Sequence, residues 1–104
     1  MENFDWLVHW FKLQCNGVWE HKYGIEMGTG DNPGWRISIS LSETYLEGID
    51  FTEIAIDRSE DDWVFCSVEN NCFEVACGVF NLFEGIQFFR EWAESNAEDN
   101  DLLP

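Results

Sequence analysis

Asp31-Asn32-Pro33-Gly34-Trp35-Arg36-Ile37-Ser38-Ile39-Ser40-Leu41 holds a reversal of the chain followed at once by a strand, and the architecture is built outward from it. Asn32, preceding proline, is pushed toward extended backbone. Pro33 fixes φ for the first central position of a turn, and Gly34 can take the positive φ that a type II turn needs next. From Trp35 onward, Trp35, Ile37, Ile39 and Leu41 share one side and Arg36, Ser38 and Ser40 the other, the alternation of a half-buried strand. Trp35 opens that strand on its apolar side and is expected to anchor the core.

Upstream, residues 19 to 27 alternate as well, with Trp19, His21, Tyr23, Ile25 and Met27 on one side, which predicts a strand paired with 35–41. Gly28-Thr29-Gly30 lengthens the connection beyond a two-residue hairpin. Residues 4 to 16 carry Trp6, Leu7, Trp10 and Phe11 at helical spacing, with Asn3 as the expected N-cap and Asn16-Gly17 as the stop. Phe4, Val8 and Cys15 widen the apolar face, so this helix should be covered over most of its circumference.

Downstream, residues 51 to 58 predict a third strand with Ile54 and Ile56 facing one way and Glu53, Ala55 and Asp57 the other. A polar connection over 57–62 leads to a fourth strand, Trp63 to Glu69. Asn70-Asn71 then forms a turn of residues that tolerate positive φ, before a fifth strand from Cys72 to Ala76. Asn81 with Glu84 three residues on has the pattern of a capping box. Leu82, Ile86, Phe89, Ala93 and Ala97 follow at helical spacing, with Phe88 on the flank of the stripe and expected to be partly exposed. Residues 98–104 read as an acidic, frayed tail. The expectation is one α+β domain over residues 1–104: a five-stranded antiparallel meander flanked by an N-terminal and a C-terminal helix packed on one face, the other face wet.

A chain of 104 residues is long enough for one core, and 45% apolar residues with six tryptophans exclude the disorder that a net charge of −16 would otherwise suggest. Five Lys and Arg in total cannot build a phosphate-binding surface, so neither nucleic acid nor an anionic membrane fits as a partner, and a basic protein does. Met1 to Asp5 lacks a cationic leader, and no apolar run approaches the ~20 residues of a membrane span, which predicts a cytoplasmic protein. The four cysteines are then free thiols, without zinc spacing.

Chemistry-bearing constellations are few. Cys15 with His21 is the one nearby Cys and His combination, and Cys77 stands beside Gly78 before a helix, but apolar and acidic neighbours raise a thiol pKa. Gly28-Thr29-Gly30 is a lone GxG with no helix behind it, and Glu60-Asp61-Asp62 lacks the ordered ligand spacing of a calcium loop. No cofactor and no metal are expected. Charge distribution carries more: eight of the 21 acids, Glu43, Glu47, Asp50, Glu53, Asp57, Glu60, Asp61 and Asp62, fall between residues 43 and 62 with Arg58 as the one base among them. This predicts a docking face for a basic protein, with Glu53, Asp57, Glu60, Asp61 and Asp62 as its rim. Trp63 is either its aromatic anchor or a core residue, and Phe88 is a further contact aromatic. The alternative is a small thiol-dependent hydrolase or transferase using Cys77 or the Cys15 and His21 pair.

Cys15-Asn16-Gly17-Val18-Trp19-Glu20-His21, the Asp31-Asn32-Pro33-Gly34-Trp35 turn, Arg58-Ser59 followed by Asp62-Trp63, and Asn81-Leu82 together resemble the immunity protein 53 family, in order and over nearly the whole chain. Val18 stands where an acidic residue is more usual. The resemblance implies a bacterial cytoplasmic antidote, encoded beside a polymorphic toxin, that protects its producer by binding the toxin domain; the chain itself is expected to be a monomer or weak dimer. It carries no catalytic residues over to this chain.

Overall fold

The computed structural model describes residues 1–102. The elements are α1 (Asn3–Gln14), α2 (Trp19–Lys22), β1 (Ile25–Gly30), β2 (Gly34–Ser40), β3 (Ile54–Ser59), β4 (Asp62–Glu69), β5 (Cys72–Gly78) and α3 (Leu82–Ser95). As the residue pattern predicts, five antiparallel strands make one sheet and a helix from each end of the chain closes its apolar side. The strand order, β1-β2-β5-β4-β3, is not sequential: β1–β2 and β3–β4–β5 are local hairpins, and β2 pairs with β5 rather than with β3. Burial explains the order. The central strands carry Ile37, Ile39, Phe73, Val75, Cys77, Val64 and Cys66, all buried, while β1 and β3 have no buried residue and take the edges.

The segment between β2 and β3, which lacks periodicity, makes that crossing possible. Leu41 N–H donates to the Asn71 carbonyl, Leu46 is fully buried, and Trp92 Nε1 donates to the Asp50 carbonyl at 3.1 Å. Phe51, expected at the start of a strand, instead lies before β3 and packs edge-on against Phe73 and Trp92. Tyr45 completes the closure by accepting from Trp10 Nε1 and donating to the Ala93 carbonyl, which ties the segment to both long helices.

Several local expectations are corrected. Residues 19–22 are a helical turn, not a strand. Asn16 Oδ1 accepts from the N–H of Val18 and Trp19 while the Glu20 carboxylate accepts from the N–H of Asn16 and Gly17, a reciprocal cap that starts a helix and overrides the alternation. Trp19 and Tyr23, four residues apart, therefore face inward together, and His21 is exposed. Glu2 rather than Asn3 caps α1, accepting from Asp5 N–H. α1 is also less covered than its composition suggests: Trp6, Leu7 and Trp10 are buried, but Val8 is 52% exposed because α1 meets α3 and the sheet along one stripe only.

Gly34 is not a positive-φ turn residue but the first residue of β2. It is required for space, since a Cβ there would collide with the Cys77 carbonyl oxygen. Trp35 is half-buried at the margin of the core, with Nε1 donating to the Val79 carbonyl at 3.1 Å, rather than at its centre. The Asn70-Asn71 turn forms as expected, with φ of 53° and 60°. Residues 98–102, expected to fray, form a turn in which Glu98 and Asp101 exchange hydrogen bonds and Leu102 packs on the core; 103 and 104 lie outside the described residues. Among the described residues no helix is long and apolar enough to cross a membrane.

Candidate functional site

Three of the four quoted motifs converge at one end of the sheet. Arg58, on edge strand β3, donates through Nη1 to Asp62 at 2.8 Å and through Nη2 to Glu84 at 2.6 Å. Asn81, nearly fully buried, donates from Nδ2 to Asp62 and to Glu84 and accepts from Trp63 N–H. The expected capping box is therefore not made: the Asn81 side chain points across to β4 and fastens the start of α3 to the sheet. The Asn81 amide and the Arg58 guanidinium hold the Asp62 carboxyl below the ordinary carboxylate range, and Arg58 does the same for Glu84. The turn motif joins this cluster through Gly34, whose missing Cβ leaves room for the Trp63 ring. These residues brace the fold, and the remaining motif, around Asn16 and Glu20, does likewise for α2.

The side of the sheet away from the helices is open. Because side chains alternate across a strand, the register assigns the residues on this face to rows running across the sheet. One row is Glu26, Ser38, Glu74 and Ser67, continued by Glu53; the next is Gly28, Arg36, Ala76, Phe65 and Ala55; a third sets Gly30, Gly34 and Gly78 in line with Trp63 and Asp57. The small residues of the first two rows, Ser38 and Ser67 in one and Gly28, Ala55 and Ala76 in the other, leave a hollow of about 690 Å³, lined by the carboxylates of Glu26, Glu53, Glu69 and Glu74 and by the single base Arg36. Ser38 Oγ donates to Glu74 at 2.9 Å and holds that carboxylate in place. Trp63 and Phe65 pack against one another as a tilted pair, with ring centroids 5.4 Å apart, and neither belongs to the core cluster.

Of the residues singled out from the sequence, Glu53, Asp57 and Trp63 lie on this open face, and Glu60 and Asp61 are exposed in the β3–β4 turn at its end. Asp62 is already engaged by Arg58 and Asn81, and Phe88 packs against the core on the opposite, helix-covered side. Phe65, Glu74 and Glu26 were not singled out, although the alternation about Val64 and Val75 places Phe65 and Glu74 on the outer face. A second exposed apolar group lies at the start of α3, where Phe80 is 90% and Phe83 55% exposed.

The thiols sit in surroundings that oppose ionisation. Cys77 is fully buried, and burial raises its pKa; burial pushes the Cys66 thiol up to about 12. Cys15 Sγ donates to the Phe11 carbonyl of its own helix, while His21 is exposed on α2.

No curated protein and no solved structure matches the chain. The family described as immunity protein 53 matches it over residues 4–94, from the first turn of α1 to the last turn of α3. That span takes in every strand, the bracing cluster and the whole open face, and the chain belongs to the immunity protein 53 family.

Proposed function

We propose that this immunity protein neutralises a cognate toxin domain by binding it directly, without chemistry of its own, and that the toxin surface it covers is basic. One observation above all supports this reading: a sheet face left uncovered by any helix carries four carboxylates against one arginine around an aromatic pair, on a chain of net charge −16. A nuclease is the toxin class that fits, since a protein that binds a polyanion must present cations, and an acidic inhibitor covers those cations in place of the substrate. The inhibitor works in the cytoplasm, where a producing cell needs protection.

Two parts of the acidic surface have different roles in this account. Glu60 and Asp61, exposed in the β3–β4 turn, act at long range on encounter, and Glu53 and Asp57 continue that rim beside Trp63. Asp62 braces the fold and is left out of the binding set. Replacing Glu60 with Gln and Asp61 with Asn is expected to slow association with the cognate toxin domain by about 3-fold to 10-fold at low salt, leaving dissociation nearly unchanged. Stopped-flow association across a salt series measures this. Association as fast and as salt-dependent as that of the unaltered protein places the steering charges elsewhere, and no association of the unaltered protein at all refutes the toxin reading.

A further inference from the structure

We propose that the open face of the sheet is the seat for an extended, arginine-bearing segment of the partner, lying across the strands along Glu26, Glu74 and Glu53, with Phe65 as its aromatic platform. The identification of the partner as the toxin rests on the preceding section; the seat itself rests on the geometry of the face.

The spacing comes from the register. Glu26 on β1, Glu74 on β5 and Glu53 beside β3 share one row, and each is two strands from the next. With neighbouring strands ~4.8 Å apart, the carboxylates stand roughly 10 Å from one another. That is too far for a single cation, whose oxygen ligands sit at about 2.0–2.6 Å, and among the described residues no cluster of His, Cys, Asp and Glu could hold a metal ion. It does match an extended chain of the polyproline II type, which brings every third side chain to the same side at a repeat of about 9.3 Å. Cations at positions i, i+3 and i+6 of such a segment meet the three carboxylates in turn.

The rest of the face selects among cations. Phe65, 41% exposed and backed by Trp63, lies in the next row between the columns of Glu74 and Glu53. A guanidinium can stack on that ring while its edge hydrogen-bonds to a carboxylate, and an ammonium has no plane to stack. Gly28 and Ala76 on either side of Arg36, and Ala55 beyond Phe65, keep the floor low enough for backbone to settle into the hollow. A second copy of this chain is a poor occupant, because it would bring carboxylates against carboxylates.

The test uses two synthetic peptides of equal composition and charge, one with three arginines at every third position in a Pro and Ser background, the other with the three arginines contiguous. Affinities are measured at about 0.15 M salt, where long-range attraction is largely screened. The spaced peptide is expected to bind at least about 5-fold more tightly, and Phe65→Ala or Glu74→Gln to reduce that preference by about 5-fold, the scale of one cation–π or charge-assisted contact. Amide shifts should fall on β2, β4 and β5. Phe65 is half-exposed, so its removal leaves the fold intact, and a melting curve checks this; Glu74→Gln is a second, isosteric route. Equal affinity for the two peptides, or shifts confined to Glu60, Asp61 and the acidic turn at 98–101, overturns the seat. Discrimination between the peptides without binding of the cognate toxin domain leaves the seat standing and refutes the toxin reading. Tight toxin binding unaffected by Phe65→Ala, with no discrimination between the peptides, does the reverse.

Discussion

Phe89→Asp is expected to leave the protein unfolded at room temperature, while Phe88→Asp, one residue away, leaves it folded. Phe89 is fully buried and meets Trp6, Trp10 and Phe73 in edge-to-face contacts at 5.0–5.9 Å, so it joins α1, α3 and the centre of the sheet. Removing such a ring costs roughly 3–5 kcal/mol, and an unpaired carboxylate in its place adds several more. The sum reaches the ~5–15 kcal/mol by which a domain of this size is stable. Phe88 packs on the core from the flank and keeps access to water, so its carboxylate stays hydrated at a cost of about 1–3 kcal/mol. Circular dichroism and a urea melt separate the outcomes. A folded Phe89→Asp protein would mean that α3 presents a different stripe to the sheet.

Gly34→Ala is expected to be the most damaging single-methyl change in the sheet. The new Cβ would press on the Cys77 carbonyl oxygen and come within 3.3 Å of Trp63 Cζ2, and a backbone carbonyl of a strand paired on both sides cannot swing aside. Overpacking of this kind costs roughly 1–3 kcal/mol, and here it also displaces the indole at the end of the open face. Gly28→Ala is the control. Nothing lies within 4 Å of a Cβ at Gly28, so that substitution should be neutral or slightly stabilising. Urea melts of the two variants check the difference in stability, and near-ultraviolet circular dichroism reports the movement of Trp63. Equal melts would mean that β2 and β5 are not held as close at Gly34 as the register requires.

Regular, self-contained segments of the chain were legible in the sequence. The stripe of α3, the alternation of β2, β4 and β5 and the Asn70-Asn71 turn are each written in the order of residues along the chain, and each folds where the residue pattern places it. Elsewhere either a local side-chain cap overrides the alternation or a distant partner decides. Trp19, His21 and Tyr23 alternate like a strand, but the caps from Asn16 and Glu20 start a helix. Gly34 looks like a turn glycine, and its reason for being glycine lies across the sheet in β5 and β4. The strand order was hidden because β2–β5 pairing joins strands separated by the 31 residues 41–71, and loop closure of that length leaves no local trace. For the candidate site, counting acids along the chain singles out the proposed β3–β4 rim. It passed over Glu26 and Glu74, which lie far apart in sequence and share a row only once the register is known.

The most direct test of the open face as the toxin-binding surface is hydroxyl-radical footprinting of the immunity protein, alone and bound to its cognate toxin domain, read at individual aromatic side chains. Exposed Phe65, Phe80 and Phe83 are all oxidised in the free protein if their side chains are as accessible as the fold makes them. Bound toxin should protect Phe65 and Trp63 strongly and leave Phe80 and Phe83 reacting as before. Protection of Phe80 and Phe83 with Phe65 still oxidised would place the toxin at the start of α3 and contradict the account.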